Sequence, residues 1–117
     1  MITRKMDRVN KEMKRALAKI IQFDLNDPRL NGVMISVVRC EVTSDEKYCK
    51  AYVSVFPIDN AKEIIDVLSS CQGYIRRCLK SEIVIRNIPQ ITFVLDRNAE
   101  YADHIESVLK GIKEGDE

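Results

Sequence analysis

Side chains able to do covalent chemistry are few and scattered in this sequence. The single histidine, His104, lies among Glu100, Asp103 and Glu106. A histidine serves as a general base only beside a nucleophile and an orienting partner. Neither is apparent, so His104 is expected to be a solvated residue on a polar helix face. Asp24 and Asp27 could form a carboxylate pair, but their setting reads as a helix end and a turn. No G-x-x-x-x-G-K-[ST], G-x-G-x-x-G or G-x-S-x-G occurs. The four cysteines, Cys40, Cys49, Cys71 and Cys78, include no C-x-x-C pair. That spacing argues against structural zinc. They are expected to be small, buried, reduced thiols, with no metal or cofactor.

Non-covalent chemistry has better candidates. Residues 1–20 hold Arg4, Lys5, Arg8, Lys11, Lys14, Arg15 and Lys19 against only Asp7 and Glu12. Seven cations against two anions is not a mixed solvated face, and it suits a polyanion. A second group is Arg76, Arg77, Lys80 and Arg86; Arg76 and Lys80 stand four apart, on one helical face. These could take phosphate oxygens or pair with Asp66 or Glu82. Arg39, Tyr48, Lys50 and Tyr52 mix aromatic and basic side chains as base-stacking surfaces do. Tyrosine is also an ordinary strand former, and that reading is preferred.

Whole-chain properties narrow the classes. The 117 residues, 45% apolar and 32% charged, suit one globular domain. The formal charge of +1 hides an asymmetry, because residues 96–117 carry seven acidic residues against three basic. Apolar runs are too short for a membrane span. The start of the chain lacks the apolar core of a secretory signal, so the cytoplasm is the expected location.

These side chains need elements to position them. Met6, Val9, Met13, Leu17, Ile20 and Ile21 recur at helical spacing, so residues 3–24 are expected to be an amphipathic helix, with Thr3 as a possible cap. Asp27-Pro28 ends it and Asn31-Gly32 turns the chain. Residues 33–42 and 48–56 read as a hairpin. The tightest register pairs Cys40 with Cys49 and Val38 with Ala51. Val38, Cys40 and Val42 then share the core face with Cys49, Ala51 and Val53. Val33, Ile35 and Val37 break that alternation; a bulge near Ser36 or a shifted register would reconcile them. Asn60-Ala-Lys-Glu63 is a capping-box pattern. Helical spacing then runs to Lys80, with Gly73 either a weak point in one helix or a corner between two. Ile91, Phe93 and Leu95 form a third strand, and residues 99–113 a final amphipathic helix. Residues 114–117 are expected to be a disordered tail after a single domain spanning 1–113. The class is an α+β sandwich with helices on one sheet face.

Several motifs, in order along nearly the whole chain, resemble the ribosome-binding factor A family. The most specific is Asp27-Pro28-Arg29-Leu30, followed by Gly32 and the hairpin Ile35–Phe56 with Val42-Thr-Ser-Asp45 and Lys50-Ala-Tyr-Val-Ser-Val55. Arg8-Val9, Gly73-Tyr-Ile-Arg76, Ile88-Pro89-Gln-Ile-Thr-Phe93 and Asp96-Arg-Asn98 also fit. The resemblance implies a type II KH-like domain, α-β-β-α-α-β, with a three-stranded sheet and a C-terminal helix. It implies an Ala-x-Gly kink in place of the KH G-x-x-G loop, here Cys71-Gln72-Gly73, with cysteine departing from alanine. It implies an assembly factor, active especially in the cold, that binds the small ribosomal subunit and its ribosomal RNA. Such a factor promotes late maturation and 5′-end processing without catalysis. A monomer is expected, with no membrane and no small-molecule substrate. Two rival classes are a protein–protein interaction module and a small RNA-processing enzyme.

Overall fold

A computed structural model describes residues 4–96, with the side chain of Arg4 excluded. The expectations for Thr3, the final helix, His104 and the acidic tail lie outside the described residues.

Helix α1 (Arg4–Lys19) forms as its periodicity predicts, with Met13, Ala16 and Leu17 wholly buried on its inner side. It then widens into a π-helical turn, Ile20–Asp24, closed by the Leu25 N–H donating to the Ile20 carbonyl at 2.8 Å. In that turn the neighbours Ile20 and Ile21 are both buried. The Asp27 carboxylate accepts the Arg29 N–H at 2.9 Å and caps a short 3-10 turn, Pro28–Leu30. Gly32, at φ 79°, supplies the left-handed residue that swings the chain into the sheet.

Strands β1 (Met34–Val42) and β2 (Tyr48–Phe56) are antiparallel. The register corrects the expected one by two residues: Cys40 faces Ala51 and Val42 faces Cys49. The turn is the cause. Thr43 and Asp45 bind its backbone, Asp45 accepting from the Thr43 hydroxyl at 2.6 Å and the Lys47 N–H at 3.0 Å. The Thr43 N–H donates to the Tyr48 carbonyl at 2.9 Å. Five residues are thereby spent outside the ladder. The bulge exists but at Val38, between the pairs Val37–Val53 and Arg39–Tyr52, rather than near Ser36. Val37 and Cys40 are both buried, so the extra residue must fall between them, and Val38 is only half-buried.

Past Phe56, a 3-10 turn (Ile58–Asn60) leads into α2 (Ala61–Ser70). The capping box does not form: Asn60 belongs to that turn and its side chain makes no cap bond. The long helical pattern breaks at Cys71, and α3 (Gln72–Glu82) continues beyond it. Strand β3 (Gln90–Leu95) then lies parallel to β2, with Phe93 opposite Ala51, giving the sheet order β1-β2-β3. A parallel pair needs a long crossover, which α2 and α3 provide. The observed order is α-β-β-α-α-β.

One sheet face is the core. Val37, Cys40, Val42, Cys49, Ala51, Val53, Val55, Ile91 and Phe93 are buried there, in one cluster with Leu17, Ile20, Leu68, Ile75 and Leu79 of the helices. Arg39, Glu41, Tyr48, Lys50 and Tyr52 take the opposite face, as their alternation predicts. Two of the four free cysteines, Cys71 and Cys78, are half-buried rather than buried.

Candidate nucleic-acid interface

The outer side of α1 is a strip of exposed cations: Lys5, Arg8, Lys11, Lys14, Arg15 and Lys19. Its inner side fixes its direction on the sheet, because Asn10 accepts the Val42 N–H at 2.8 Å. That tether brings the start of the helix to the end of β1. Lys11 pairs with Asp7 at 3.3 Å and Arg15 with Glu12 at 3.0 Å, both at the surface, where such pairs are weak and exchange readily. Arg15 also donates to the Glu82 carbonyl at 3.3 Å, and Lys19 pairs with the Glu82 carboxylate. That hydrogen bond raises the Lys19 pKa, so its charge is secure. Through Glu82, the end of α3 is fastened against α1. Between them runs a groove of about 530 Å³ with Lys5, Arg8 and Glu12 on one wall and Ile83, Val84 and Ile85 on the other.

The second cationic group is divided. Arg76 donates to the Ile88 carbonyl at 2.8 Å and so holds the segment entering β3. Arg86 is drawn to the hairpin turn, where its N–H meets the buried Glu46 carboxylate at 3.1 Å and its guanidinium lies 3.9 Å away. Arg77 and Lys80 are exposed and make no ion pair or hydrogen bond among the described residues. The same holds for Lys5, Arg8 and Lys14. The structure therefore gathers the α1 cations into one strip beside the end of α3, and sets Arg76 and Arg86 to structural duty. Neither pairs with Asp66 or Glu82.

The kink is a joint rather than a loop. Gln72 bridges to β3 at two points, donating to the Ile91 carbonyl at 2.8 Å and accepting the Ile91 N–H at 2.6 Å. Its amide thus pairs with a strand backbone as a neighbouring strand would. The Cys71 thiol approaches the Asp27 carboxylate at 3.9 Å. Asp27 is gripped by both arms of Arg29, at 3.0 and 2.7 Å. The Arg29 side-chain and backbone bonds hold its carboxyl well below the usual range, at about 2. Asp24 is no partner in a carboxylate pair; its carbonyl accepts the Tyr74 hydroxyl at 2.9 Å. Gly73 sits in α3 without a left-handed φ, and a methyl there would meet nothing within 4 Å.

Elsewhere, Arg39 lies 3.8 Å over the Tyr52 ring and pairs with Glu41 and Asp96 at 3.5 and 3.4 Å. Arg39 and Tyr52 of the mixed aromatic and basic group are thus tied up internally, while Tyr48 and Lys50 stay exposed. Cys40 is buried beside Cys49, whose hydrogen bond and the burial both push the Cys40 thiol up, away from nucleophilic ionisation. Among the described residues no three His, Cys, Asp or Glu side chains could hold a metal, and no helix is long and apolar enough to cross a membrane. Sequence reasoning missed Asn10, and named Gln72 in the kink and Glu82 as an acidic partner without finding what they bind, because these partners lie 19 to 67 positions away along the chain.

The family profile described as ribosome-binding factor A matches residues 5–109. A Clostridium kluyveri ribosome-binding factor A is 41% identical over 110 residues, covering 93% of this chain and 90% of that protein. The Clostridium novyi counterpart is 40% identical over 111 residues, covering 94% and 91%. Among solved structures, the crystal structure of ribosome-binding factor A from Thermus thermophilus superposes with a TM-score of 0.69 at 26% identity, over 79% of this chain and 97% of that one. A homology model of the Thermus thermophilus factor, as fitted into a cryo-electron-microscopy map of a 30S complex with it, gives a TM-score of 0.60 at 28% identity, over 76% and 92%.

Proposed function

The chain belongs to the ribosome-binding factor A family, and on that footing we propose that it binds the small ribosomal subunit through ribosomal RNA and promotes late maturation without catalysis. The observation that carries this reading is the exposed strip of α1, where Lys5, Arg8 and Lys14 have no competing partner among the described residues. Cations free of intramolecular pairs displace counterions from phosphate at little cost. Lys11, Arg15, Lys19, Arg77 and Lys80 complete the proposed surface. Arg76 and Arg86 contribute charge from side chains already drawn to the Ile88 carbonyl and the Glu46 carboxylate.

A KH-like domain that has a clamped kink where the G-x-x-G loop would stand grips phosphate and RNA shape rather than a single-stranded sequence. Its binding energy favours one arrangement of the subunit's RNA over others, and the enzymes that trim the 5′ end act on that arrangement. Work of this kind belongs in the cytoplasm and needs no cofactor.

Co-sedimentation with small subunits over a salt series tests the reading, with large subunits as the control. Selective association that weakens steeply with salt is expected. Replacing Lys5, Arg8 and Lys14 with Glu should lower affinity roughly tenfold or more and flatten the salt dependence by about one unit of slope per lost phosphate contact. Unchanged affinity of the folded triple variant would remove α1 from the interface. Purified protein alone should leave a precursor rRNA uncut; turnover would overturn the non-catalytic assignment.

A further inference from the structure

The end of the molecule remote from the start of α1 has a different character. Met34 and Phe56 face each other across the first rung of the hairpin and are 68% and 72% exposed. They border a groove of about 930 Å³ whose apolar lining includes Ile21, Leu25, Leu30 and Val33. Past Pro57 the surface continues into a second hollow of about 510 Å³, between Ile58, Ile65 and Leu95. Large side chains left bare beside apolar hollows mark interaction surfaces.

Charge selects the occupant. Asp27, Asp59 and Lys62 line the two hollows, and the segments that build this end also carry Asp24, Arg29, Glu63 and Asp66. Arg29 and Asp27 neutralise each other, which leaves Asp24, Asp59, Glu63 and Asp66 against Lys62. Asp59, Glu63 and Asp66 have no ion pair among the described residues. RNA phosphates would be repelled here. Residues 97–117 of the chain hold six acidic residues against three basic, so they meet like charge as well. A second copy placing the same surface opposite would set acid against acid. A cationic partner is attracted, and an apolar side chain on it would fill the groove.

We infer that the Met34–Phe56 end docks a lysine- and arginine-rich protein segment bearing an apolar anchor, so that the molecule touches RNA at one end and a basic protein at the other. The inference rests on the small-subunit reading above.

The test places the photo-crosslinking amino acid p-benzoylphenylalanine at position 56 in one variant and at position 14 in another, each bound to small subunits and irradiated. Position 56 should yield a protein adduct resistant to ribonuclease, and position 14 an RNA adduct resistant to protease. An adduct from position 56 to RNA, to a second copy or to the chain's own residues 97–117 would overturn the inference, as would none while position 14 reacts. If neither variant nor the unmodified protein co-sediments, the subunit reading fails, and this inference with it. As a second measurement, changing Met34 and Phe56 together to Gln should weaken binding to intact subunits by about tenfold and leave binding to protein-free rRNA unchanged. Equal loss on both would also overturn it.

Discussion

Single residues hold this fold at joints that periodicity does not reveal. Gln72 is the clearest. Its amide satisfies both backbone groups of Ile91, and truncation would leave that N–H and carbonyl half-buried without partners. Gln72→Ala should therefore cost about 2 kcal/mol, several times the effect of a surface substitution, as read by chemical denaturation. A loss below a few tenths would mean that water replaces the amide freely. Asp27 makes a pH-dependent contribution. Its carboxyl is depressed to about 2 by the Arg29 bonds. A depressed acid stabilises the folded state above its unfolded pKa, and that contribution is lost as pH falls from about 4 through about 2. The melting temperature of Asp27→Asn should lie below that of the parent at pH 6, and the gap should narrow on acidification. A gap independent of pH would assign the effect to shape rather than charge.

At the scale of elements, the helices and strands were legible because burial imposes its period on the sequence. The inner positions of α1, the alternation of β2 and that of β3 all appear as such. The strand register was not legible. It depends on where Val38 is extruded and on how Thr43 and Asp45 fold the turn, and hydrophobic order is blind to both. The entry to α2 was misread for a similar reason, since Asn60 has the right composition for a cap but lies in a preceding turn. The cationic strip was visible in the sequence because α1 is local. The structural use of Arg76 and Arg86 was hidden, since each bonds to a segment distant in the chain or across a loop. The kink offers a further check. Cys71 carries the break, while Gly73 has open space and no left-handed φ. Gly73→Ala should then stabilise the protein by about 0.5 kcal/mol, because alanine loses less backbone freedom on folding. Destabilisation would show that the bare backbone at this position has a packing role.

Charge is unevenly placed over the whole molecule, cationic along the outer side of α1 and acidic in the segments around Met34 and Phe56. Such a distribution orients a protein in the electric field of a charged partner before contact is made, and orientation raises the productive share of encounters. Raising salt should therefore slow association more than it speeds dissociation. Stopped-flow binding to small subunits would separate the two; a salt effect confined to dissociation would exclude steering. The Val38 bulge, finally, bears on what copies of this chain do to one another. β1 is one of the two outermost strands, with β2 its partner among the described residues. An outermost strand with an unbroken row of free backbone groups is a template on which other copies can polymerise. One extruded residue interrupts the row midway and twists it. Deleting Val38 would leave every inward and outward position of β1 on its present side while straightening that edge. The shortened protein should fold and yet cloud in concentrated solution sooner than its parent by light scattering, which would make Val38 a guard against self-polymerisation as well as a correction of phase.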